Sequence, residues 1–186
     1  MNALKVIAVI VGCGIVTAIA FFLADMITTN ESFRSVITES GVFGAIAIAF
    51  ICGLTFVVPV PPATFAPVFL EAGLSIPLVV MGFVVGTMAA DTIGYVLGWV
   101  GKSYAETAHP RITKRLHECM HAHTHVVLPF AFVYFAVAPL PNELILVPLA
   151  LSGYRYRTLV LPMLFGTIIH HTLLVLGYQT VFERLF

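Results

Sequence analysis

The chain has 186 residues, of which 60% are apolar and 10% are charged, and its formal net charge is zero. Soluble domains carry about a quarter charged residues, so this composition excludes a soluble domain and indicates an integral membrane protein with one membrane domain. No basic face points to nucleic acid as a partner, and three scattered cysteines exclude a disulfide framework.

The first predicted element is an apolar run from Val6 to Leu23 that follows Lys5. The run is close to the length of a full membrane span, about 20 residues, and no small-residue cleavage pattern follows it. It therefore predicts a transmembrane helix and not a signal peptide. We assign residues 1–40 to this helix and a linker.

Two further apolar stretches are too long for one span and too short for two. The stretch Gly41–Leu70 carries no charge, and the stretch Val126–Ser152 carries only Glu143. Prolines interrupt both: Pro59, Pro61 and Pro62 in the first, and Pro139 and Pro141 in the second. We predict that each stretch is a re-entrant hairpin. Irregular backbone at membrane depth must be buried in protein or line a cavity, so the two hairpins should face each other.

A helix is predicted after each hairpin, at roughly Ile76–Val100 and Thr158–Thr180. The two halves match at an offset of 80 residues, which aligns Pro59 and Pro61 with Pro139 and Pro141, Gly73 with Gly153, and Gly86-Thr87 with Gly166-Thr167. Broken helices in corresponding positions of two halves indicate a transporter-type site at the repeat interface. The membrane domain then covers 41–180, as repeat one (41–101), a basic histidine-rich loop (102–125) and repeat two (126–180), with a tail at 181–186.

The distribution of basic residues predicts the topology. If Lys5 is cytoplasmic and both hairpins are re-entrant, the bases of the 102–125 loop lie in the cytoplasm together with Arg155 and Arg157. This is the arrangement that the positive-inside rule expects. One hairpin then enters from each face, so the repeats are inverted. The expected location is multi-pass in a membrane, the plasma or inner membrane if the protein is bacterial.

Two polar residues occupy equivalent positions in the predicted long helices. Asp91 lies in the middle of an apolar stretch, where a carboxylate normally faces a bundle interior or cavity, and it is a candidate proton or cation site. The alternative is a helix-packing hydrogen bond with a partner such as Tyr95, one turn on. His171 aligns with Asp91 and could share a proton with it. The alternative is that His170 and His171 stabilise helix contacts.

The second hairpin and its exit supply the other candidates. Glu143 follows the proline turn and suits a cation, a proton or a lipid amine, or else it is satisfied by backbone N–H groups. Asn142 beside it donates and accepts hydrogen bonds and tolerates turn conformations. Arg155 and Arg157 suit a lipid phosphate, which guanidinium binds bidentately, or serve as plain positive-inside anchors.

A histidine series marks the basic loop. His117, His121 and His125 recur every four residues, so a helix would place them on one face. They are weak candidates for zinc, nickel or copper, because no carboxylate or thiol completes an obvious site. A surface helix lying on the membrane is the favoured interpretation. No activated nucleophile, glycine-rich phosphate cradle or pair of catalytic carboxylates is present, so the sequence predicts neither an enzyme nor a cofactor.

The chain resembles a known family at these positions. Gly86, Asp91, Tyr95, Gly98 and Gly101 are similar to the G-(x)-G-D-x-x-x-Y-x-x-G signature of the DedA-like proteins, also called the VTT or SNARE-associated Golgi protein family. Both P-x-P hairpins fit the family, as does the end of the last helix, and the resemblance covers about 41–180. It implies two re-entrant hairpins that meet at mid-membrane, and a lipid flippase or scramblase that is proton-coupled in several members.

The chain also departs from the family's pattern. Near the first P-x-P, where the family usually carries an acid, it has Gly53, Thr55 and Ala63. Around the second, where arginines are usual, it has Ala136, Asn142 and Glu143, and Trp99 stands where an arginine is common. The usual coupling acid and the usual phosphate-binding arginine are therefore not matched.

We thus expect an all-α polytopic membrane protein built as an inverted repeat of re-entrant hairpin plus transmembrane helix, preceded by one N-terminal transmembrane helix. Its expected function is to move a lipid, or another small or amphipathic solute, at a site between the hairpins. Membrane lipids are the expected partners, with a homo-oligomer or a larger membrane complex left open. The alternatives are a small-solute exporter on the same scaffold and a non-transporting subunit or assembly factor.

Overall fold

The computed structural model describes residues 15, 18, 22, 29–54, 61–138 and 140–185, and this part of the chain is helical throughout, without strands. The predicted N-terminal helix, apart from those first three residues, lies outside the described residues, and so do Pro59 and Pro139. The helices are α1 (Glu31–Glu39), α2 (Val42–Gly53), α3 (Ala66–Glu71, after a 3-10 turn at Pro62–Phe65), α4 (Ile76–Ala108), α5 (Pro110–Ala122), α6 (Thr124–Val137), α7 (Glu143–Leu151) and α8 (Tyr156–Leu185).

Two of these helices, α4 and the Tyr156–Gly177 part of α8, are long and apolar enough to cross a membrane, and the bent pair α5–α6 would make a third if it is one span. Helix α4 runs past the predicted end at Val100 to Ala108. The added turns are polar and include the Lys102–Glu106 pair (3.7 Å), which lies at a helix-compatible spacing of four residues. Pro110 explains the end, because the residue before a proline disfavours helical backbone.

The segment 102–125, predicted as a loop, is largely helical, and it turns sharply at His123. Helices α5 and α6 meet there at a bend of 91°. The prediction that one helix places His117, His121 and His125 on a single face is therefore wrong for His125, which lies on α6. Helix α5 has no buried residue, as expected for a helix at a surface.

Each long helix packs against helices from both proline-broken stretches, which we call the arms of those stretches. Helix α4 contacts α2 and α7, while α8 contacts α6, the 3-10 turn and α3. Glycines allow the closest approaches. A Cβ at Gly86 would collide with the Ile46 carbonyl oxygen of α2, and a Cβ at Gly98 would lie 3.1 Å from Val147 Cα of α7. Gly86 thus allows the close approach of α2 to α4, and Gly98 allows that of α7.

The helices α3 and α7 end in the same way. Gly73 (φ 90°) and Gly153 (φ 87°) adopt left-handed backbone, which glycine tolerates without a Cβ penalty. In both places the glycine N–H and the next N–H return to carbonyls of the preceding turn, as in a Schellman motif. Gly73 and Gly153 thus share the same local backbone geometry.

Two apolar clusters form the interior. One, with Phe69 and Phe83 fully buried, joins α2, α3 and α4. The other, with Leu149 and Met163 fully buried, joins α6, α7 and α8. The polar cavity described below lies between these clusters, at the breaks in the two stretches.

Candidate functional site

A cavity of about 290 Å³ lies where the two broken stretches meet the long helices. Pro61 and Pro62 reach it from the first stretch, and Pro141 and Asn142 from the second. The polar side chains in its described lining are Thr87 and Asp91 of α4, Asn142 and Glu143 of the second break, and Thr167, His170 and His171 of α8, with Cys52 of α2 beside them. Polar groups are thus gathered at the centre of an otherwise apolar bundle.

Asp91 and Asn142 form the best-defined contact of the cavity. Asp91 is only 2% exposed, and the Asn142 side-chain amide donates hydrogen bonds to both of its carboxyl oxygens, at 3.1 and 2.9 Å. The break that presents Asn142 is held in turn by Tyr134, whose hydroxyl donates to the Pro141 carbonyl at 2.9 Å. The structure therefore joins the middle of α4 to the turn ahead of α7.

Glu143 opens α7 and lies directly against α4. A Cβ built on Gly94, one turn after Asp91, would come within 3.1 Å of Glu143 Cγ. The Glu143 Oε1 atom is buried without a hydrogen-bond partner in the described structure. Asp91 and Glu143 both line the cavity. Two carboxyl groups therefore share one apolar environment, a costly arrangement unless a proton or cation is bound.

His171 is fully enclosed on α8, and its partner is not the one predicted. Its Nε2 lies 2.9 Å from Thr87 Oγ1, and its ring packs edge-on against Phe83. A proton-sharing pair with Asp91 is therefore not formed, because His171 meets α4 one turn before Asp91. The two residues do line the same cavity. Thr167 Oγ1 and His171 Nδ1 are both buried without a described partner.

Three of the predicted site residues lie outside the lining of the cavity. The Tyr95 hydroxyl donates to the Tyr154 carbonyl at 2.7 Å, so it does not bond to Asp91. Arg155 and Arg157 are exposed at the start of α8. His171 lies 15 residues beyond Tyr156 on the same helix, which at 1.5 Å per residue is about 22 Å. The geometry does not bring these arginines to the cavity.

A separate cluster forms where α5 meets the end of α7. His117 Nδ1 and His121 Nε2 lie 2.6 and 3.2 Å from the same Ser152 carbonyl oxygen, and the two rings are 4.3 Å apart. The His121 ring stacks on Tyr154. Within the described chain, no group of three or more potential metal ligands comes together. The histidines of α5 cap the carboxyl end of α7.

The two buried threonines were not singled out as site residues from the sequence, although a signal was present. Gly86-Thr87 and Gly166-Thr167 align in the 80-residue repeat, and each glycine lies where its helix approaches a neighbour closely. The threonine that follows each glycine faces the cavity. Threonine is common in apolar helices, so composition alone does not identify these two threonines as site residues.

The cavity combines acidic and basic side chains. Its described lining contains two carboxyl groups and two imidazoles but neither Lys nor Arg, so it offers sites for protons or for a positively charged group. The chain matches no family model, no curated protein and no solved structure. The functional assignment therefore depends on this site.

Proposed function

We propose that the protein is a membrane transporter of the DedA-like type, which moves a lipid or another amphipathic solute through the cavity between two re-entrant hairpins. The observation that carries the proposal is the cavity with its buried polar side chains. It gathers Asp91, Asn142 and Glu143 with His171 inside a bundle whose helices are otherwise apolar. Ionisable residues within membrane helices are costly, and they commonly mark substrate or ion pathways.

Short arms favour the re-entrant interpretation. Helix α2 has 12 residues and α7 has 9, which at 1.5 Å per residue gives about 18 and 14 Å. The hydrocarbon core of a bilayer is about 30 Å thick, so neither arm reaches across it alone. The described residues that flank the two breaks line the cavity: Gly53 and Pro61 for the first, and Ala138 and Leu140 for the second. Irregular backbone at membrane depth is expected to line such a cavity.

The packing around Gly86 and Gly166 supports a structural repeat. A Cβ at Gly86 would meet residues Ile46, Ala49 and Phe50 of α2, whereas a Cβ at Gly166 would meet Phe132, Phe135 and Ala136 of α6. The three positions are spaced identically in both helices, which implies the same packing geometry. The matched ends at Gly73 and Gly153 point the same way.

This arrangement suggests how transport proceeds. Each long helix contacts an arm of both stretches, so rocking of one repeat against the other would open the cavity to alternate sides. Asp91 and Glu143 would carry the proton or the charge of the substrate, and Asn142 would hold Asp91 in place. The exposed bases Arg155 and Arg157 would anchor the cytoplasmic face.

The test is leaflet exchange of fluorescent phospholipids in proteoliposomes, with wild type compared to Asp91→Asn and Glu143→Gln. Glu118→Gln is the matched control, because Glu118 is an exposed carboxylate of α5 paired only loosely with Lys114 (3.8 Å). We expect exchange in the wild type and the control, and loss of exchange in both cavity variants.

Exchange that continues unchanged in both cavity variants would overturn the proposed site. Folded wild-type protein that exchanges no lipid at either pH 5.5 or pH 7.5 would refute lipid transport. In that case tight co-purification with other membrane proteins would favour a complex subunit. Saturable, gradient-driven uptake of a water-soluble compound would favour an exporter.

A further inference from the structure

The wall of the cavity carries two carboxyl groups and, among its described residues, neither Lys nor Arg. Asp91 receives both of its hydrogen bonds from the neutral amide of Asn142, so it is oriented but not neutralised. Glu143 adds a second carboxyl group nearby, and no Lys or Arg belongs to the described lining. In an apolar bundle, a positive charge between the two carboxylates removes the cost of their burial.

Three side-chain atoms of the lining residues are buried without a hydrogen-bond partner in the described structure: Glu143 Oε1, Thr167 Oγ1 and His171 Nδ1. Thr167 and His171 are each 2% exposed. In the tautomer that donates its Nε2–H to Thr87, the Nδ1 atom of His171 is a lone-pair acceptor. Buried acceptors without partners are rare in proteins, so they indicate a ligand that supplies donors.

One side of the cavity is open and apolar. Val137, Leu140 and Leu173 belong to its lining, yet 66%, 53% and 58% of their surfaces are exposed. In a membrane these side chains would contact lipid tails. An apolar chain attached to a bound polar group could therefore lie along them without entering water.

From these three features we infer that the cavity binds a primary ammonium group carried on an apolar chain, an inference that rests on the transport function proposed above. An ammonium group has three N–H donors and no acceptor, so it supplies donors to these unpartnered atoms. Its charge complements Asp91 and Glu143. A phosphate would instead meet two carboxylates with no guanidinium to hold it.

The test is calorimetric titration of the protein in phosphatidylcholine nanodiscs, with empty nanodiscs as the baseline. The ligands are hexylammonium, methylammonium and hexyl phosphate. The variants are Glu143→Gln, Thr167→Val and the exposed control Glu118→Gln. Thr167→Val keeps the side-chain shape and both carboxylates, so it tests the acceptor even if Glu143→Gln folds poorly.

We expect hexylammonium to bind the wild type and the control equally. Losing a charged acceptor should weaken binding about tenfold or more in Glu143→Gln, and losing a hydroxyl about fivefold in Thr167→Val. Methylammonium should bind at least about tenfold more weakly than hexylammonium, because it buries fewer methylene groups. Hexyl phosphate should not bind.

Hexyl phosphate that binds as tightly as hexylammonium would overturn the inference, as would hexylammonium binding that both cavity variants retain. Selective ammonium binding without leaflet exchange would refute transport but leave the inference standing. Leaflet exchange without selective ammonium binding would refute the inference but leave the proposed transport standing.

The same titration identifies the source of the amine. Weaker apparent hexylammonium affinity in nanodiscs that contain phosphatidylethanolamine would assign the site to a lipid head group. Unchanged affinity would assign it to a free amphiphilic amine.

Discussion

The close approach of α6 to α8 makes Gly166 a sensitive position. We expect Gly166→Ala to destabilise the folded protein, although alanine is the better helix former. The new Cβ would lie 2.6 Å from Phe135 Cβ, 3.0 Å from the Phe132 carbonyl oxygen and 3.2 Å from the Ala136 amide nitrogen. Ordinary contact begins at 3.4 Å, so α6 would have to move by about 0.8 Å from its seat.

The expected magnitude combines two opposing effects. Overpacking against backbone that cannot rotate away costs about 3 kcal/mol, the upper end of the usual range. The higher helix propensity of alanine raises the free energy of unfolding by about 1 kcal/mol relative to glycine. The net loss in the free energy of unfolding is then about 2 kcal/mol.

Gly101→Ala on α4 is the matched control. Its Cβ would meet nothing closer than Leu151 Cδ2 at 3.9 Å, so only the helix-propensity gain of about 1 kcal/mol remains. The two variants should therefore shift stability in opposite directions.

The assay is reversible unfolding in mixed detergent micelles, followed by far-ultraviolet circular dichroism, with the midpoint and slope compared among variants. A Gly166→Ala protein as stable as the wild type, with an unchanged slope, would contradict the packing described for α6 and α8. A destabilised Gly101→Ala protein would contradict the open surroundings of that residue.

Three more outcomes are expected. Asn142→Ala should cost about 3 kcal/mol of stability, because it leaves the buried Asp91 carboxylate without donors, and the double variant with Asp91→Asn should recover most of that loss in the same unfolding assay. His117→Ala should speed amide hydrogen exchange in α5 about fivefold, because one hydrogen bond to the Ser152 carbonyl is lost. His125→Ala should leave that exchange unchanged. Equal protection of α5 in both variants would argue against docking by His117. In protein with Cys13 and Cys52 replaced by Ser, Cys119 is exposed on α5 and should react with a membrane-impermeant maleimide only from the cytoplasmic side. Labelling from the opposite side would refute the proposed topology.

The sequence alone was sufficient to predict an all-helical structure with helices long and apolar enough to cross a membrane, and most of the described helix positions. Hydropathy reports directly on the surrounding solvent, and Pro and Gly act on the backbone where they stand. The ends at Gly73 and Gly153, the start of α4 at Ile76 and the breaks near Pro61 and Pro141 follow from these local effects. The extension of α4 to Ala108 was not predicted, because hydropathy falls there while helical propensity does not.

The sequence also identified Asp91, Asn142, Glu143 and His171 as polar residues in apolar surroundings, but it did not pair them correctly. Each helical residue turns by about 100°, so a small rotation or shift of one helix changes which side chains meet across an interface. Only the tertiary structure decided that Asn142 holds Asp91 and that His171 meets Thr87. The bend at His123, which separates His125 from His117 and His121, is likewise a result of packing, since no proline or glycine marks it. Local backbone chemistry determined where the helices begin and end, and packing between helices decided which polar groups share the cavity.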